Sequence, residues 1–145
     1  MKEVLEEIFI ILDKMFKNCA IDYEDLRNYD VTEELFEDYN FVRIVNSFLF
    51  NYTKIQDKMG AKLFKRFLYV INEIDTLDLA MIDVLNIMEK LYILDRDDWE
   101  MLREIRNNIA HEYPLHLDER VKNLQDALHG FEKLQNIYTN IKAKV

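Results

Sequence analysis

The sequence predicts an all-α protein, an antiparallel bundle of four to five helices, and a few observations lead there. The 145 residues include only two glycines and one proline, too few turn residues for a sheet or a loop-rich fold. Half of the residues are apolar, and they recur at three- and four-residue spacing, as in helices with one buried face. No stretch alternates apolar and polar residues long enough to read as a strand. The length suits one domain, residues 1–145, with a sizeable core.

Leu5, Ile8, Leu12, Met15 and Phe16 place a first helix over residues 2–18. Ala20–Asp30 is acidic and reads as irregular, or as a short helix around Tyr23–Asn28. Thr32 is the expected cap of a second long helix that carries Leu35, Tyr39, Val42, Val45, Phe48, Leu49 and Tyr52 to about Met59. Gly60 interrupts or weakens this pattern, and Leu63, Phe64, Phe67, Leu68 and Ile71 continue a strongly apolar helix. Asp75 and Thr76 read as the next start signal, followed at helical period by Leu79, Ile82, Leu85 and Leu91. Asp95, with Asp98 three residues on, resembles an N-cap with acid in the first turn. The helix it opens contains Trp99, Leu102, Ile105 and Ile109, and Pro114 ends it nearby. A last helix from about Leu117 runs through Val121, Leu124, Leu128, Phe131, Leu134 and Ile137. Trp99, Tyr52, Phe64 and Phe67 read as core rather than as base-stacking platforms. Cys19, the one cysteine, rules out an intramolecular disulfide and reads as a small core residue.

No apolar run approaches the roughly 20 residues that span a bilayer, and Glu3, Glu6 and Glu7 stand where a basic leader would be. The expectation is a soluble, cytoplasmic protein with no membrane partner. The net charge of −9 argues at first against nucleic acid, but its distribution is uneven. Residues 1–40 hold 4 basic and 12 acidic residues, residues 41–70 hold 6 and 1, residues 71–100 hold 2 and 9, and residues 101–145 hold 7 and 6. A basic segment thus lies between two acidic blocks. Within it, Lys54, Lys58, Lys62, Lys65 and Arg66 form either a solvated helix face or a track for a phosphate backbone.

The chemistry concentrates in Arg106-Asn107-Asn108-Ile109-Ala110-His111-Glu112-Tyr113, just before Pro114. At about 100° per residue, Tyr113 falls almost directly above Arg106, and both flank the core face set by Leu102, Ile105 and Ile109. His111 falls about 140° from Arg106. The two converge only if the helix loosens before Pro114, or if two copies pair with these faces together. An isologous dimer, the commonest oligomer, is the favoured expectation. Arg, His and Tyr in one cleft suit phosphodiester transfer in RNA. An imidazole takes the proton of the ribose 2′-OH, an imidazolium protonates the leaving 5′-oxygen, and a guanidinium grips the phosphate. Metal ligation fits poorly: Glu112 and Asp118 are the near acidic neighbours of His111, and His116 lies five residues on. No metal and no cofactor are expected. The structural alternatives are an Arg106 paired with Glu112 or with an acid on a neighbouring helix, a His111 that caps the helix C-terminus, and a Tyr113 at the core edge.

Arg106, His111 and Tyr113 at this spacing resemble the R-x4-H-x-Y motif of HepT-like members of the HEPN superfamily, and Asn107 matches a position that is often polar there. The middle segment Phe41–Phe67 is similar to the middle helices of such chains, so the resemblance covers most of residues 35–140. It implies a HEPN-like helical bundle and a ribonuclease toxin of a toxin–antitoxin pair. Its partner would be an MntA-like minimal nucleotidyltransferase antitoxin that silences it by transferring AMP to the motif tyrosine. Carried onto this sequence, Arg106 and His111 would be catalytic, Asn107 supporting, and Tyr113 supporting and the AMPylation site. Some HEPN proteins instead resemble non-catalytic nucleotide-binding partners of such transferases, and that is the alternative function. A third is a helical interaction domain with a relic motif.

Overall fold

A computed structural model describes all of residues 1–145. Its helices are α1 (Lys2–Arg27), α2 (Tyr39–Lys58), α3 (Phe64–Val70), α4 (Met81–Lys90), α5 (Arg96–Ala110) and α6 (Leu117–Ala143), with a 3-10 turn at Glu33–Glu37 and no strand. A π turn, Met59–Leu63, joins α2 to α3 without a break, so these segments make one rod.

The helix α1 runs on to Arg27, through the acidic segment expected to be irregular or a separate short helix around Tyr23–Asn28. Cys19 and Leu26 prolong the buried stripe of Leu5, Ile8, Leu12 and Phe16, so the acids there occupy the outer face of a helix whose inner face stays apolar. Cys19 is fully buried, and burial pushes its thiol up to about 12, which leaves it inert at neutral pH. Thr32 precedes only the 3-10 turn and makes no side-chain cap bond; Asp38 caps α2 by accepting from the backbone N–H groups of Asn40 and Phe41. The expected start at Asp75–Thr76 is a local turn, in which the Thr76 hydroxyl accepts from the Asp78 N–H at 3.1 Å. The helix begins at Met81 and buries Val84, Leu85 and Met88, while Ile82 is exposed. Asp95 does cap α5, accepting from the Asp97 N–H at 2.8 Å, and α6 begins at Leu117 as expected.

Pairings along the rods set their directions. Asp22 meets Ser47 and Cys19 meets Phe48, while Ile11 and Met15 share a groove with Lys54 and Lys58, so α1 and α2 are antiparallel. Tyr23 packs on Phe131 and Phe9 on Tyr138, which makes α1 and α6 antiparallel. Asp98 reaches Lys133 and Asn108 reaches Asn123, which does the same for α5 and α6. The rods form an up-and-down bundle, and the buried apolar side chains of all six helices belong to one cluster. Both glycines sit at close crossings rather than at helix ends. A Cβ on Gly60 would stand 3.1 Å from the Trp99 ring, and one on Gly130 would overlap the Tyr52 hydroxyl. Helix ends are made without glycine: Asn72 and Tyr92 take left-handed φ values of 63° and 58° after α3 and α4.

No helix is long and apolar enough to cross a membrane.

Candidate functional site at the end of α5

The amphipathic pattern of α5 buries Trp99, Leu102 and Ile105 and leaves the motif residues at its rim. Arg106 is half-buried, and Asn107, His111 and Tyr113 are exposed. The Arg106 guanidinium reaches across to α2, where Nε and Nη2 each donate at 3.1 Å to the two carboxylate oxygens of Asp57. This fork-to-fork geometry is the strong form of the pair. The Asp57 hydrogen bonds hold Arg106 above its ordinary pKa against the opposing effect of partial burial. Asp57 is the one acid between residues 41 and 70.

Glu112 has a different partner. Its carboxylate accepts from Arg120 Nε at 3.1 Å and from Asn123 Nδ2 at 2.9 Å, both on α6. The Arg120 and Glu112 side chains are each only 14% exposed, and the Arg120 guanidinium lies 4.5 Å from the centroid of Phe36. This half-buried clamp pins the turn after α5 onto α6. It leaves His111 and Tyr113, on either side of Glu112, pointing to solvent, with Tyr113 66% exposed. The Tyr113 ring lies 5.3 Å from that of His116, and His116 and His129 pair with Glu119 and Glu132.

His111 is the C-cap residue, with its N–H still bonded to the Asn107 carbonyl. The helix is therefore regular up to Ala110, and loosening before Pro114 does not draw His111 round to Arg106. Their directions stay about 140° apart.

Two concavities meet beside Arg106. One, of about 350 Å³, lies between α2, the π turn and α5, and is lined by Gln56, Asp57, Gly60, Trp99, Arg103 and Asn107 among others. The other, of about 380 Å³, is a groove lined by Lys54, Lys58 and Lys62 with Ile11 and Met15. Asp57 and Ala61 border both. The groove thus brings three of the basic residues read from the sequence to the edge of the motif. Lys65 and Arg66 lie outside it, and Arg66 donates to the Lys62 carbonyl at 3.1 Å. No three His, Cys, Asp or Glu side chains group as a metal-binding set.

Sequence reasoning missed Asp57, Gln56 and the Arg120–Asn123 clamp. A lone acid in a basic block was the available signal for Asp57, and a polar residue four positions after Tyr52, on the buried face of α2, was the signal for Gln56. No family model, curated protein or solved structure matches this chain.

Proposed function

We propose that this protein is a metal-independent endoribonuclease of the HepT-like HEPN kind. The observation that supports the reading is that the concavity at Arg106 and Asn107 borders, through Asp57 and Ala61, a groove bearing Lys54, Lys58 and Lys62, with His111 and Tyr113 exposed just beyond α5. Lys54, Lys58 and Lys62 track the RNA backbone, and Arg106 holds the scissile phosphate. The His111 imidazole takes the 2′-OH proton, the 2′-oxygen forms its bond to phosphorus, and the P–O5′ bond breaks. An imidazolium returns a proton to the leaving 5′-oxygen, so the ends are a 2′,3′-cyclic phosphate and a 5′-hydroxyl. Because Arg106 and His111 diverge on a regular helix, the active form is a homodimer in which the two copies complete one cleft.

Tyr113 is exposed enough to accept AMP from a minimal nucleotidyltransferase. The adduct places an anion near the phosphate site and silences cleavage. Both arms of the Arg106 fork are taken by Asp57, so a phosphate held by Arg106 must share or displace that pair, in the nuclease and in the nucleotide-binding alternative alike.

The test is cleavage of total RNA by purified wild type, Arg106→Ala and His111→Ala, with chelator present. Fragments from wild type alone, ending in cyclic phosphate, support the nuclease. Intact RNA from wild type, or undiminished cleavage by both variants, rejects it. Mass spectrometry of Tyr113→Phe after incubation with the partner and ATP tests the modification, which that variant should lose.

A further inference from the structure

We propose that Phe50 is a base-stacking platform for single-stranded RNA, set at the Lys54 end of the lysine groove. The chain has nine phenylalanines. Seven are buried and Phe9 packs against the core, while Phe50 is 63% exposed. The inward stripe of α2 is made by Phe41, Val45, Phe48, Leu49 and Tyr52, and Phe50 stands outside it. Trp99, Tyr52, Phe64 and Phe67 are buried, so none of them offers a ring face to a base. Single exposed apolar side chains are ordinary on a protein surface. Phe50 is set apart by what surrounds it.

Lys54 lies one turn further on, its ammonium 5.5 Å from the centroid of the Phe50 ring. The same lysine lines the groove with Lys58 and Lys62. At about 100° per residue, Arg43, Phe50, Lys54 and Asp57 fall within about 60° of one another on α2. One face of the helix therefore carries the ring, two cations and the acid that meets Arg106. Residues 41–70 hold 6 basic residues against 1 acidic, a balance complementary to a polyanion. A basic groove that follows the backbone, with an exposed aromatic ring on which a base stacks, is how single strands are held without readout of sequence. The contact of ammonium and ring is weak at an exposed site. The flexible lysine stem lets the ammonium move to the phosphate of the nucleotide whose base takes the ring. At about 1.5 Å per residue, Phe50 stands about 10 Å along α2 from Asp57, the rise of about three stacked nucleotides at ~3.4 Å each. The platform thus holds a base about three nucleotides from the phosphate at Arg106. Every base has a π-face, so any sequence is accepted; a duplex, whose bases are already stacked on one another, gains nothing from the ring.

The inference rests on the ribonuclease reading for RNA as the ligand, and binding tests it apart from cleavage. The assay is fluorescence polarisation of a labelled single-stranded RNA with the full chain carrying His111→Ala, beside an abasic oligomer of the same length and charge. Phe50→Ala should weaken RNA binding at least about fivefold, the lower end for loss of one stacked base. It should leave the abasic oligomer and the salt dependence unchanged. Lys54→Ala should weaken both ligands and lower the salt slope by about 0.7. Phe50→Trp should keep the affinity for RNA, because it keeps a ring. Phe50 and Lys54 are exposed, so the melting temperature should barely move in any of these variants. Equal RNA affinity of parent and Phe50→Ala, an equal loss for RNA and the abasic oligomer, or a Phe50→Trp as weak as Phe50→Ala overturns the platform. So does a Phe50→Ala effect confined to the oligomeric state in sedimentation, which would assign the ring to a contact between copies. Cleavage by wild type with no effect of Phe50 on binding rejects the platform and leaves the nuclease standing. A Phe50-dependent preference for RNA over the abasic oligomer, without cleavage by wild type, rejects the nuclease and leaves the platform standing.

Discussion

Asp57→Asn should strengthen RNA binding while barely touching the fold. Arg106 and Asp57 are 33% and 47% exposed at their side chains, so water screens the pair, and exposed pairs contribute about 0–1 kcal/mol. Asparagine keeps the shape and one acceptor oxygen. The expected fall in melting temperature is therefore at most about 4 °C for a chain of this size. The effect on RNA has the opposite sign. A phosphate held by Arg106 sits beside the Asp57 carboxylate. Two like unit charges about 5 Å apart in a water-like dielectric repel by about 0.8 kcal/mol, which corresponds to about fourfold in Kd.

The same substitution adds one net positive charge to the phosphate path. The plot of log affinity against log salt should steepen by about 0.7 for single-stranded RNA. The assay is fluorescence polarisation of a labelled oligoribonucleotide, with His111→Ala as the parent so that nothing is cut, at several salt concentrations. Weaker binding by Asp57→Asn at every salt concentration, with an unchanged slope, would refute the reasoning. Arg106 would then be a structural partner of Asp57 and not a phosphate contact.

Glu112→Gln weakens a pair only 14% exposed and should cost about 1–2 kcal/mol in urea unfolding, between the values for surface and buried pairs. Cleavage should fall with it, because the turn carrying His111 and Tyr113 loses its anchor; full activity in a destabilised variant would separate the clamp from the site. Gly130→Ala should destabilise by about 1–2 kcal/mol, since the overlap with Tyr52 costs about 1–3 and the better helix propensity returns under about 1; a rise in melting temperature would show that the crossing relaxes freely. Tyr138→Phe tests a pH effect. Burial raises the Asp13 carboxyl, but hydrogen bonds from Lys142 and Tyr138 and the Lys142 charge outweigh it and hold it below its ordinary 3.8. A lowered carboxyl stabilises the fold above its unfolded value and loses that contribution as pH falls through the folded value. The gap in melting temperature between wild type and Tyr138→Phe should thus be largest above about pH 5 and shrink on acidification, and a gap independent of pH counts against this account.

The helical class and the core faces were legible because periodicity reports burial directly. Leu5, Ile8, Leu12 and Phe16 on α1 and Trp99, Leu102 and Ile105 on α5 are buried as their spacing required. Helix ends were less legible, for a physical reason. Glycine ordinarily marks a C-terminus, but here Asn72 and Tyr92 take the left-handed positions, while Gly60 and Gly130 serve close packing. Gly60 does interrupt the α pattern without ending the rod: it sits inside a π turn that lets α2 pass into α3. Around the motif, the position of Arg106 and Asn107 on α5 and of His111 and Tyr113 just past its end was legible because it is local. The partners were not, since Asp57 lies 49 residues from Arg106 and Arg120 lies 8 from Glu112 across a turn. Periodicity does not say which acid a given arginine meets.

The acidity of the chain and a nucleic-acid substrate are compatible because charge acts locally. At physiological salt the screening length is about 8 Å, so an acid two helix diameters away has little effect on a phosphate in the groove. What counts is the lining. There Lys54, Lys58 and Lys62 stand against Asp57 alone, which leaves the lining with a positive balance. Of the acidic block 1–40, α1 gives the groove only the apolar Ile11 and Met15, and no residue of 71–100 lines it. Binding should accordingly depend on Lys54, Lys58 and Lys62 far more than on Lys65 and Arg66. If the double variant Lys65→Ala/Arg66→Ala lost as much affinity as Lys58→Ala/Lys62→Ala, the track would have to lie elsewhere on the bundle.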